Sequence, residues 1–127
     1  MSAMSNYLEN AILDDWLLGG SARTRPTSLT VRLYTTATDD ASGGTEVSGG
    51  SYAATAVTFG AASGGSASNS ADVTFPTATA SWGTVTHLAI YDNGGNRLFH
   101  GALTASKTVG QNDVLKIPAG SLTVSLD

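Results

Sequence analysis

A chain of 127 residues fits one domain with a single core, and with no cysteines it has neither disulfides nor the common Cys-based zinc sites. Only 13% of its residues are charged, about half the usual share, so Ser and Thr cover a surface of the kind common in assembled β proteins. The net charge is −4, the six basic residues are scattered apart from Arg23 and Arg25, and no run reaches the ~20 apolar residues of a bilayer span, so neither nucleic acid nor membrane is an expected partner.

Residues 1–20 lack a basic leader and a clean cleavage site, so no signal peptide is expected. Met4 is an alternative start that would make residues 1–3 a dispensable tail. The spacing predicts a helix over 6–18, with Asn6 as its cap and Glu9 reaching back to the cap amide. Leu8, Ala11, Ile12, Asp15 and Trp16 follow the spacing of one helical face, and Leu13 and Leu17 widen the stripe. Gly19-Gly20 stops the helix. This divides the chain into an N-terminal helical arm, 1–20, and a single β-sandwich domain, 21–127.

Beyond Pro26 the period changes to two. Leu29, Val31 and Leu33 alternate with Thr30, Arg32 and Tyr34, the pattern of a half-buried strand. Residues 38–51 form a polar, glycine-rich connection, and a strand follows over 52–59 with Val57 and Phe59 on one face. Residues 60–70 read as a mobile loop of small residues, and a strand at Ala71, Val73 and Phe75 ends at Pro76. The strand 84–91 places Thr86, Leu88 and Ile90 on one face, and Val85, His87, Ala89 and Tyr91 on the other. Asp92 to Asn96 is a hairpin tip, because Asn-Gly and Gly-Gly tolerate positive φ, and 97–103 returns. A second hairpin is expected over 108–117, and after Pro118-Ala119-Gly120 a last strand carries Leu122, Val124 and Leu126. The expected fold is mainly β, an antiparallel sandwich or jelly-roll-like arrangement with one N-terminal α-helix.

Chemistry is sparse. His87 and His100 sit in neighbouring strands, where a cross-strand or core role outweighs metal ligation with Asp92 or Asp113. Asp39-Asp40 and Asp92 to Asn96 offer oxygens for calcium, yet neither has EF-hand spacing, and Asx turns explain both. There is no Gly-x-Ser-x-Gly elbow and no Gly-Lys-Ser/Thr phosphate loop. Glu9 and Glu46 are the only glutamates, so a carboxylate pair for glycoside cleavage is not expected. Accordingly we expect no catalytic residue, no cofactor, no metal and no enzymatic activity. Trp82 is expected to cap the core. Two readings of the helix stay open: Trp16 fills a joint with its own domain, or Leu8, Ile12, Trp16 and Leu17 anchor the arm on a neighbouring subunit.

Several segments carry a likeness in a fixed order: Tyr7 to Asp14, Thr45 to Tyr52, Val57-Thr58-Phe59, Ala71 to Pro76, Trp82 to Asp92, Lys107-Thr108-Val109 and Ile117 to Gly120. Together they span nearly the whole chain, which resembles small bacteriophage virion proteins of the tail-fibre or minor structural type. The resemblance implies a non-enzymatic virion component, on the capsid exterior or the tail, made in the cytoplasm of the host bacterium. It also implies major capsid or tail proteins as partners and a homo-oligomer, trimer or dimer. A single sandwich with a helical arm is most similar to a capsid cement or decoration protein stabilising the head. The alternatives are a tail-fibre or receptor-binding adaptor using loops 39–50 and 60–70, and a carbohydrate-binding module using Trp82, Tyr91 and the hairpin tip.

Overall fold

Alternation of apolar and polar residues builds the centre of the molecule. In the computed structural model, which describes residues 3–19 and 25–126, β1 is Ala3–Met4, α1 is Asn6–Leu13, and a π-helical turn over Asp14–Leu18 continues the helix. The strands that follow are β2 (Leu29–Tyr34), β3 (Thr55–Val57), β4 (Ser66–Ser68), β5 (Val73–Thr74), β6 (Gly83–Asp92), β7 (Arg97–Val109), β8 (Lys116–Ile117) and β9 (Thr123–Ser125). The fold is mainly β with one N-terminal helix, as the sequence implied. Its main sheet is antiparallel, in the order β1-β7-β6-β2-β3, and two further two-stranded ladders pair β4 with β9 and β5 with β8.

Period-two alternation sends Val31 and Leu33 of β2 to one face, opposite Ile90 and Leu88 of β6. Val73, Phe75, Ala78 and Leu122, from the short ladders and the loops beside them, close the core as a second layer. Trp82 is buried as expected. Its ring meets Tyr52 edge-on at 5.4 Å, and its Nε1 donates to the Gly50 carbonyl at 2.9 Å. That approach requires glycine: Gly50 has φ 57°, and a Cβ there would lie 2.9 Å from Trp82 Nε1.

Among the strands from β2 onward, the structure departs from the sequence reading in five places. First, a register shift between Val85 and His87 lets Val85 join the same core as Leu88 and Ile90, whereas strict alternation puts it on the other face. Second, β2 is not half-buried. Tyr34, Ala89 and Tyr91 on its far side are covered as well, because Arg97 draws the 38–44 loop over them. The Arg97 guanidinium donates to Tyr91 Oη (3.1 Å), Asp39 O (2.8 Å) and Gly43 O (3.0 Å), while Tyr34 and Tyr91 hydroxyls meet at 2.7 Å. Third, residues 60–70 are not an open loop: β4 lies there, paired with β9. Its end is clamped by the buried Asn69, whose amide donates to Ala71 O and Pro118 O and whose Oδ1 accepts from Leu122 N. Fourth, the strand expected over 52–59 shrinks to β3. Fifth, β8 pairs with β5 and not with residues 108–109, because Ala78 and the 112–113 turn exchange backbone hydrogen bonds that pull the turn aside.

At the other end, Ala3 and Met4 pair with His100 and Phe99, so these residues extend the sheet and Ala3 is no loose tail. The boundary placed between residues 20 and 21, Gly20 of the helix stop, Arg23 and residues 1–2 lie outside the described residues.

Candidate docking surface

The helical arm starts where the sheet holds it. Ser5 N donates to Leu98 O at 2.9 Å, Ser5 Oγ donates to Arg97 O, and Asn6 N donates to Asp40 O at 3.0 Å. Ser5, not Asn6, is the cap: its Oγ accepts from Leu8 N at 3.2 Å, and Asn6 is already the first helical residue. Asp40 is itself fixed by His100, whose Nε2 lies 2.8 Å from its carboxylate while Nδ1 meets Thr38 Oγ1 at 2.9 Å. Neighbouring Asp39 accepts from the Gly43 and Ala41 amides, which hold its carboxyl below the usual range. Thus both acids of the 39–40 pair have structural partners.

Of the stripe, Ala11 is buried and Leu8 and Ile12 are half-buried, lining with Leu98 a shallow cavity of about 190 Å3 between helix and body. The turn over Asp14–Leu18 then widens to π geometry before Gly19 ends it at φ 79°. Trp16 borders the same cavity as Leu8 and Ile12 but leaves most of its ring in solvent, so it does not fill a joint with its own domain. It is 77% exposed, with Leu17 at 78%, Leu18 at 77% and Leu13 at 52%. The four anchors named from sequence thus differ in exposure: Leu8 and Ile12 are half-buried, while Trp16, at the edge of the same cavity, and Leu17 stand largely in solvent. Sequence reasoning missed Leu18. The signal was present, because three consecutive apolar residues before a glycine cannot all lie on one helical face. Among the described residues of the arm, the charges are all acidic: Glu9, Asp14 and Asp15.

A second concave surface lies on the other side of Leu98. An open cleft of about 320 Å3 separates the main sheet from the β4–β9 ladder, lined by Leu29, Phe59, Leu98, Phe99, Val124 and Leu126 among others. None of its lining residues is charged.

The remaining candidates have structural partners. The Asp92 carboxylate accepts from Gly94 N (2.9 Å) and Asn96 N (2.8 Å), closing the hairpin tip as an Asx turn. His87 Nδ1 lies 2.8 Å from Thr86 Oγ1. Among the described residues no three His, Cys, Asp or Glu side chains converge as a metal site, and no helix is long and apolar enough to cross a membrane. Trp82 and Tyr91 are both buried, so neither offers a sugar a stacking face.

No curated protein matches the chain. A family model does, across residues 3–125, and it is that of the Podophage GP4 fiber I protein gp80. The match takes in the helix and every strand, and the chain belongs to this family of bacteriophage fibre proteins.

Proposed function

We propose that this protein is a structural, non-catalytic component of a phage tail fibre or its adaptor, held in the virion by its N-terminal arm. The family supports the fibre over the capsid-cement reading. The observation that carries the attachment role is the apolar tip of the arm, where Leu13, Trp16, Leu17 and Leu18 stand in solvent on a helix whose start is hydrogen-bonded to the sheet. Large apolar side chains left in solvent within six residues of one another are the kind of feature that marks an interaction surface. Burial of a central Trp with flanking Leu is the usual form of an interface anchor.

Location on the particle tests the fibre assignment. Gold-labelled antibody on purified virions should mark a few sites at the tail. Dense labelling over the head would replace the fibre reading with capsid cement.

A further inference from the structure

The hairpin tip closed by Asp92 holds the chain's single Asn-Gly step, Asn93-Gly94. An asparagine before glycine can lose its side-chain amide without an enzyme, because the glycine has no Cβ to obstruct attack of its own nitrogen on the asparagine Cγ. Every other asparagine precedes a residue with a side chain, and Asn69 is buried besides. Asn93 and Gly94 are both exposed, so water reaches them. We propose that Asn93 is a site of spontaneous deamidation, restrained by the Asp92 carboxylate. The inference is independent of how the arm is used.

Two hydrogen bonds act on the reaction in opposite senses. Thr27 N donates to Asn93 Oδ1 at 3.3 Å, and this donor lies where negative charge develops as Cγ becomes tetrahedral, which favours attack. Gly94 N, the nucleophile, must give up the proton that it donates to Asp92 Oδ1 at 2.9 Å. Freeing it breaks a bond to a charged acceptor, and the neighbouring carboxylate disfavours an anionic nitrogen. A charge-assisted bond at 2.9 Å outweighs a neutral one at 3.3 Å, so restraint prevails. When attack succeeds, a bond forms between Gly94 N and Asn93 Cγ, the Cγ–Nδ2 bond breaks, and ammonia leaves with the Gly94 proton. Water then opens the five-membered imide at one carbonyl or the other, giving aspartate or isoaspartate. One water is consumed and one ammonia released, with no oxidant or reductant. Either product sets a second carboxylate beside Asp92. Isoaspartate also lengthens the backbone between Asp92 and its two amide donors, Gly94 N and Asn96 N.

Peptide mapping by mass spectrometry of the full chain, kept folded in mildly alkaline buffer, tests this against a free peptide spanning residues 91–97. Conversion is expected at Asn93 ahead of every other asparagine, and on the order of tenfold slower than in the peptide, since a hydrogen bond to a charged group must open first. Asp92→Ala should bring the rate up to that of the peptide. Asp92→Asn, which keeps an acceptor and drops the charge, should fall between. Gly94→Ala should suppress conversion. A Cβ there would lie 3.2 Å from Asn96 Nδ2 and 3.4 Å from Asp92 Oδ1, side-chain atoms rather than backbone, and φ at this position is not left-handed. Conversion elsewhere before Asn93 would overturn the site, and so would an intact Asn93 in both wild type and Asp92→Ala while the peptide converts. Wild type converting as fast as the peptide, or Asp92→Ala no faster than wild type, would overturn the restraint.

Discussion

Asn69 shows how much one side chain holds in this protein. Its amide satisfies three backbone groups, from Ala71, Pro118 and Leu122, and so joins the end of β4 to the approach to β9. Asn69→Ala leaves those groups buried or poorly paired, and denaturant unfolding should show a loss of about 3 kcal/mol. In the sequence Asn69 sits among Ser, Ala and Gly, where a polar loop residue is the natural reading, and nothing local marks it as a clamp. Tyr34 is a second case. Burial, aided by the hydrogen bond with Tyr91, pushes its hydroxyl up to about 12 from 10.0. Burial also raises Tyr52, which donates to Glu46 Oε2 at 2.7 Å. A raised acid keeps its proton in the folded state while the unfolded chain ionises. The stability it contributes is therefore complete below pH 10 and lost as pH climbs from 10 towards 12. Thermal melts across that window should fall for wild type and fall less for Tyr34→Phe.

At the scale of elements, the legible parts were those whose signal is periodic. The alternation of Leu29, Val31 and Leu33, the Asp92 to Asn96 turn and the helix all stand where the residues imply. What alternation cannot carry is a change of phase. The shift between Val85 and His87, and the one between Ile90 and Tyr91 that leaves Leu98 as an extra residue, keep the residue types of a strand and alter only which side they face. Pairing of β5 with β8 is also illegible locally, because it depends on the 110–113 turn being bonded to Ala78 rather than on strand propensity. The arm was legible as a helix but not as a strand followed by a helix, since two residues of ladder leave no pattern. Ser5 is the joint between the two. Ser5→Ala removes the cap at Leu8 N and the bond to Arg97 O. It should cost about 1 kcal/mol or more, read as faster amide exchange across α1 with the β6–β7 ladder unchanged.

Taken whole, the molecule uses its polar side chains in its own construction and leaves apolar side chains of the arm in solvent. Arg97, His100, Asp39, Asp40 and Asp92 all have internal partners, while the large exposed hydrophobics of the arm cluster over residues 13–18. Composition pointed only to a surface with few charges, covered by Ser and Thr, of the kind common in assembled β proteins. The degree of exposure of the tip was not foretold, because the helical spacing that puts Trp16 on the side of Leu8 and Ile12 does not tell how far the body reaches along the helix. The direct test is to assemble phage carrying full-length Trp16→Ser/Leu17→Ser/Leu18→Ser protein and count its copies in purified particles. The account predicts that the variant melts within about 2 °C of wild type, because these side chains are already in solvent, and that it is absent from the particles. A variant retained at wild-type copy number would contradict the arm's role in assembly.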